Sequence, residues 1–325
     1  MRRRRIWSET LGYDELGSPA VLSLLVRHGL DVLVAVTEPL LPGLGPLLSR
    51  LAGAGVGFAL WPMLGDGEGR WGSSANMARF LEQADLVLSE ARLSGARVPE
   101  LVLDLEPPFS VAQAASHGSI EGPLRAAAAL RRGFAEAVLR LEQRARVLRS
   151  ELLLTCAAVP VVLFDDQAPG AGRPLYQALL GTPVDGVPFD SVSVMVYTSI
   201  LEGWSRGLVD RRRALALLAG CALRARSRYG PRASLSLGTV GTGAFADEPI
   251  YRDPGELAED VAISRRAGVD DLVLFDLGGV LRRGPPEAWL EAFVHGEAAL
   301  DLPRSRRVSL ALSSLEALGR WPRRG

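Results

Sequence analysis

Eight short apolar runs, each followed by a segment long enough for a helix, constrain this chain more than any other feature. They are Arg5–Glu9, Val32–Glu38, Val56–Leu64, Leu101–Glu106, Leu152–Ala158, Ser191–Tyr197, Ala233–Thr239 and Leu272–Asp276. The segments between them carry apolar residues three and four apart, as in Ala126–Leu148 with Leu130, Phe134, Val138 and Leu141. Strand alternating with helix implies a parallel sheet, because parallel neighbours need a crossover and a helix usually supplies it. Eight such units in 325 residues, 48% of them hydrophobic, predict a closed (β/α)₈ TIM barrel forming a single domain over residues 1–302. The structural alternative is an open doubly wound sheet, which the absence of Gly-x-Gly-x-x-Gly at the first strand-to-helix turn disfavours. The Pro- and Gly-rich stretch Ala168–Pro188 reads as a long loop with a short helix around Leu175–Leu180. Residues 303–325 read as a tail, either an extra outer helix or partly disordered.

Composition excludes several classes of function. Arg and Lys total 37 and so do Asp and Glu, a balance that argues against nucleic acid or an anionic membrane as partner. Every one of those basic residues is Arg, so neither a Schiff-base aldolase nor a pyridoxal phosphate enzyme of the usual kind is available. Cys156 and Cys221 lack metal or redox spacing and read as small buried residues. His28, His117 and His295 fall in helices or just past a helix start, away from strand ends, which disfavours a His-based zinc site or triad. No cofactor or resident metal is expected. The Arg2–Arg5 run is followed by Ile6-Trp-Ser-Glu-Thr rather than an apolar stretch, and no window is long and apolar enough to span a membrane. The chain as written is expected in the cytoplasm, or outside the cell if an upstream signal has been removed. Its oligomeric state is left open.

Within a barrel the chemistry belongs at the C-terminal ends of the strands. Those positions here are Glu9, Glu38, the Trp61–Asp66 segment, Asp104 and Glu106, Asp165 and Asp166, Tyr197, the Thr239–Thr242 loop, and Asp276. In Leu101-Val-Leu-Asp-Leu-Glu106 the side chains alternate, so Leu101, Leu103 and Leu105 face one way while Val102, Asp104 and Glu106 face the other. Two carboxylates thus share one face of a core strand, where burial is costly unless they are paired or protonated. The same parity turns Ser191, Ser193, Met195 and Tyr197 inward on the sixth strand, and Ser234 and Ser236 on the seventh. Trp61 and Trp71 flank the loop after the third strand and Trp204 follows the sixth. Indole faces stack on sugar rings while carboxylates accept from hydroxyls, so the expected ligand is a carbohydrate or another polar small molecule.

Asp104-Leu-Glu106 on the fourth strand, with Met195-Val-Tyr197 on the sixth, resembles glycoside hydrolase family 18, the chitinase-like barrels. The family patterns are Asp-x-x-Asp-x-Asp-x-Glu and Met-x-Tyr-Asp. Here Pro99 and Val102 occupy the first two acidic positions, Thr198 follows the Tyr, and Phe275-Asp276 stands where the eighth strand usually carries Trp. The resemblance implies that Glu106 protonates the glycosidic oxygen. Asp104 would orient and polarise an N-acetyl group whose carbonyl attacks the anomeric carbon, and Tyr197 would help to hold that group. Glu38, Trp61, Trp71, Trp204 and Asp276 are the expected substrate-binding residues. Glu106-Pro107 is also similar to the Asn-Glu-Pro motif of the large retaining barrel clan. That clan needs a Glu on the seventh strand; Ser234–Thr239 supplies none, so Asp276 or Glu38 would have to serve.

Two further alternatives stay open. The incomplete motif allows a non-catalytic carbohydrate-binding barrel. The glycines of Gly238–Gly243 and Leu277–Gly279 allow a phosphate- or metal-dependent enzyme, with Glu38, Asp104, Glu106 and Asp276 as conceivable oxygen ligands.

Overall fold

The computed structural model describes residues 3–116, 121–166, 174–297 and 301–320. The expected strands are present as β1 (Arg4–Ser8), β2 (Asp31–Val36), β3 (Phe58–Pro62), β4 (Glu100–Leu105), β5 (Leu153–Ala158), β6 (Ser191–Val196), β7 (Ala233–Gly238) and β8 (Asp271–Phe275). They pair in sequence order, all parallel, and β8 closes on β1 through Arg4–Leu272, Arg5–Val273 and Ile6–Leu274. The chain is therefore a (β/α)₈ barrel, and the open-sheet alternative is excluded.

Two apolar cores follow from the alternation along each strand. Leu101, Leu103 and Leu105 are fully buried in the layer between sheet and helices, each contributing roughly 1.5–3 kcal/mol relative to exposure. Val102 points the other way, into a lumen packed with Trp7, Leu33, Ala59, Trp61 and Val273. Helices cover the outside by the spacing their sequences announce. Pro19–His28 starts at Ser18, whose hydroxyl accepts from the Val21 amide, and stops at Gly29, where φ of 60° suits glycine. Glu121–Leu148 buries Leu130, Phe134, Ala137 and Leu141 along one stripe, with Val138 half-buried beside them.

The N-terminal end of the lumen is closed by charge. Arg5 is fully buried and bridges Glu100 on β4 (2.6 Å) and Asp271 on β8 (2.8 Å), while Arg3 and Thr155 also donate to Glu100. Removing Arg5 would take the central partner from two carboxylates at once, so this arginine ties β1, β4 and β8 to one another.

The seam between β3 and β4 is thin. β4 pairs with β5 along its whole length, but meets β3 only at Leu60–Leu101. Higher up, the loop after β3 substitutes for the missing strand: Gly72 bridges Leu105, and its amide donates to the Asp104 carbonyl at 2.9 Å. A Cβ on Gly72 would lie 2.6 Å from the Phe80 ring, so the close approach requires glycine.

The short helix expected in the long loop is Leu175–Leu180, and its first amides donate to Asp165 at 2.8 and 3.0 Å. The tail forms the helix Arg306–Gly319, docked through Val308 and Leu312 and through an Arg224–Glu316 ion pair of 2.6 Å. His28 and His295 lie on helices; His117 lies outside the described residues. Among the described residues no helix is long and apolar enough to cross a membrane.

Candidate active site

β4 carries Asp104 one residue before its end at Leu105 and hands the chain to Glu106 at the mouth of the lumen. Both border a cavity of about 480 Å³ together with Trp7, Glu9, Trp61, Trp71, Met195, Tyr197, Trp204, Phe245, Glu248 and Phe275. The floor is aromatic: Trp7 and Trp61 meet edge to face at 4.6 Å, and Tyr197 and Phe275 lie 5.5 Å apart. Polar contacts fix the floor. The Trp7 indole donates to Ser236 Oγ at 2.7 Å, and that hydroxyl lies 3.2 Å from Tyr197 Oη. The rim is aromatic as well, with Phe109 and Phe245 stacked at 5.2 Å and Trp71 and Trp204 both set against Phe245.

Asp104 is buried and Glu106 is half-buried, facing the cavity. Burial, reinforced by the negative charges of Glu106 and Glu9, holds the Asp104 carboxyl well above the usual range. Asp104 Oδ1 and Trp61 Nε1 are both buried without a hydrogen-bond partner among the described residues, although the indole is near enough to favour the ionised acid. Below Asp104 sits the buried Val102, where the resembling motif has another Asp, so this position offers Asp104 no carboxyl neighbour. Burial and the charges of Glu9 and Glu248 push Glu106 up to about 8, against the opposing pull of Arg70. The pair thus retains a proton near neutral pH, as a general acid must.

Two acids outside the expected catalytic and substrate-binding residues, Glu9 and Glu248, complete the constellation. Glu9 follows β1, and burial raises it to about 7 despite its ion pair with Arg70 at 2.7 Å. Arg70 adopts a left-handed backbone, φ of 58°, which costs a non-glycine residue roughly 1–2 kcal/mol. That conformation sets its guanidinium between Glu9 and Asp66 and 5.0 Å above the Phe109 ring. Glu248 arrives from the loop after β7, folded back so that its carboxylate accepts from the Gly243 and Phe245 amides. Glu9 was visible as a rim position. Glu248 lies well beyond its strand, and no local pattern marks it.

The residues singled out in the sequence separate into two groups. Asp104, Glu106, Tyr197, Trp61, Trp71 and Trp204 line the one cavity. Glu38 borders a neighbouring cavity, where its carboxylate pairs with Arg79 at 3.0 Å. Asp276 turns away to cap the helix Leu277–Arg282, accepting from the Gly279 amide at 2.9 Å. Asp165 is likewise occupied by the helix it caps.

This use of amides bears on phosphate binding. The glycine loops were attractive because their N–H groups could cradle an anion, but Gly279 donates to Asp276, and Gly243 and Phe245 donate to Glu248. An incoming phosphate would have to displace carboxylates from their own hydrogen bonds, against their charge. Nor, among the described residues, do three carboxylate, His or Cys side chains converge closely enough to hold a metal ion.

No protein-family model and no curated protein matches the chain. Solved structures do. The PgaB (BpsB) glycoside hydrolase domain from Bordetella bronchiseptica matches 90% of this chain and 99% of its own at 12% identity, with a TM-score of 0.53. A class V chitinase from Nicotiana tobaccum matches 90% and 99% at 13% identity, with a TM-score of 0.50. At such identities the likeness is one of fold, and a barrel of this kind hosts many chemistries.

Proposed function

We propose that this barrel is a glycoside hydrolase acting on a carbohydrate, with an N-acetyl amino sugar as the favoured unit. The observation that carries the reading is the Asp104–Glu106 pair, aimed into an aromatic-lined cavity and retaining a proton near neutrality. Glu106, half-buried and facing the ligand, protonates the departing glycosidic oxygen. Asp104 accepts from the N-acetyl N–H, and the acetyl carbonyl oxygen attacks the anomeric carbon as the glycosidic bond breaks. Tyr197, its hydroxyl set by Ser236, holds the same group from the end of β6. Glu106 then takes a proton from the water that opens the intermediate. Trp61, Trp71 and Trp204 supply stacking surfaces for the sugar rings.

Replacing Glu106 with Gln keeps shape and hydrogen bonding but removes the transferable proton. Turnover of β-linked amino-sugar aryl glycosides should fall roughly 10²- to 10⁴-fold with folding intact. Full activity in that variant would overturn the assignment of the acid.

A second reading is favoured by one specific departure. Thr198, which stands where the resembling motif has Asp or Asn, directs its hydroxyl to the buried Asp260 and accepts from Arg211 at 2.9 Å. Its side chain serves the packing of helices and leaves the cavity with one polar group fewer. A wild-type protein that binds oligosaccharides and cleaves none across a broad glycoside panel would be the non-catalytic, carbohydrate-binding barrel.

A further inference from the structure

Beside the cavity that holds Glu106 lies a second one of about 660 Å³, at the C-terminal ends of β2 and β3, bordered by Glu9, Glu38, Leu64, Gly65, Arg79 and Gln83. Glu9 borders both cavities, so it forms the wall between them. Gly243 keeps the partition thin: a Cβ there would come 2.9 Å from Glu9 Oε2 and 2.5 Å from the Phe275 ring.

The chemistry of this second space is that of a hydroxyl-binding site. Its guanidinium groups are already engaged, Arg70 with Glu9 and Asp66, Arg79 with Glu68 and Glu38. Among the described residues that line it no unengaged cation is left to attract an anion, while carboxylate oxygens remain in excess as acceptors. The decisive residue is Gln83. It is 1% exposed, on the buried side of the helix Met77–Leu93, among Phe80, Ala84 and Val87. Its Nε2 lies 3.5 Å from the Val36 carbonyl, to which it donates at the limit of hydrogen-bond range, and among the described residues its Oε1 is left without a partner. A buried acceptor is costly to leave unsatisfied, and the residue that carries this one lines an open cavity.

We propose that the second cavity is a saccharide subsite contiguous with the first, in which a sugar hydroxyl donates to Gln83 Oε1, so that the substrate is an oligosaccharide crossing the Glu9 wall. The inference rests on the carbohydrate reading of the first cavity and adds chain length to it. Glu9 then lies under the backbone of the bound chain, where its carboxylate accepts from hydroxyls on either side of the partition.

The test is titration calorimetry of N-acetylglucosamine and its β1→4-linked oligomers of two to six units against the Glu106→Gln protein, in which turnover does not interfere. Affinity should rise about tenfold once the chain is long enough to pass Glu9, the increment expected from one well-made hydrogen bond with its packing. Gln83→Leu, which keeps the volume but not the acceptor, should abolish that rise. Gly65→Phe should do the same by filling the cavity. A Cβ at Gly65 would lie 3.7 Å from Glu68 Oε2 and φ there is −67°, so this variant is free of the packing demands on Gln83. If long oligomers bind no tighter than short ones, or if the rise survives both substitutions, the subsite is wrong and Gln83 holds only water, while the carbohydrate reading stands. If no saccharide of any length binds, the carbohydrate reading itself fails and takes the subsite with it.

Discussion

Glu106→Gln at alkaline pH tests the acid assignment without any substrate. In the folded protein the Glu106 proton is held until about pH 8, whereas the ordinary value is 4.5. Between those two values the folded state carries a proton that the unfolded chain has lost, so stability falls as pH rises, by up to ~1.4 kcal/mol per pH unit from this group. The sign is opposite to that of an ion-paired carboxylate: the contribution is fully present below the unfolded pKa and vanishes as pH climbs through the folded one. From pH 5 to pH 8 the full slope would amount to ~4 kcal/mol. Because the carboxyl is only half-buried and faces cavity water, about half of that, ~2 kcal/mol, is the expected loss. Gln has no proton to hold. Wild type should therefore lose about 2 kcal/mol more than the variant over this interval, read as unfolding free energies from urea denaturation at pH 5, 6.5 and 8. Relief of Asp104 from its neighbour's charge widens the difference in the same direction. Parallel curves for the two proteins would refute the reasoning, since a Glu106 that ionises normally has no proton to deliver near neutrality.

Other consequences are quickly checked. Arg5→Met leaves Glu100 and Asp271 without their shared buried partner and should cost about 3–5 kcal/mol in urea unfolding; a loss under 1 kcal/mol would mean that the charge network does not hold the barrel closed. Asp276→Ala should cost about 1 kcal/mol through the lost helix cap, whereas Asp276→Asn, which keeps an acceptor for the Gly279 amide, should leave stability and ligand affinity close to wild type. A change in affinity with Asn would return Asp276 to the ligand site. Mg²⁺, Mn²⁺ and EDTA should each leave the melting temperature unmoved, because a metal that bound only the folded protein would raise it by mass action.

The barrel was legible because every strand announces itself by period and every crossover by its apolar spacing. The parity of Leu101–Glu106 placed Asp104 in the lumen correctly, and Ser191–Tyr197 likewise, since a strand can bury only alternate residues on each face. What strand counting could not resolve was the direction a rim side chain takes once the strand has ended. Asp276 and Glu38 stand at strand ends, yet one turns to free amides of the next helix and the other to an arginine on a neighbouring helix. Such choices are made by partners distant in sequence. The same holds for Arg70 and Glu9, joined across 61 positions, and for Glu248, brought to the cavity by amides of its own loop. Trp61 was legible as a strand-end aromatic, but its unpaired indole beside Asp104 is a property of packing alone.

The hydrogen bond from Gly72 to the Asp104 carbonyl has a bearing on how such a barrel can diverge. Where β3 has left the sheet, the loop that presents Trp71 to the ligand becomes the neighbouring strand of the segment bearing the acids. Shortening or replacing that loop to admit a different ligand would also withdraw the edge on which Asp104 is hung. Ligand preference and acid placement are thus inherited together, and a loop grafted from another barrel must bring a glycine into register with Leu105 to preserve both.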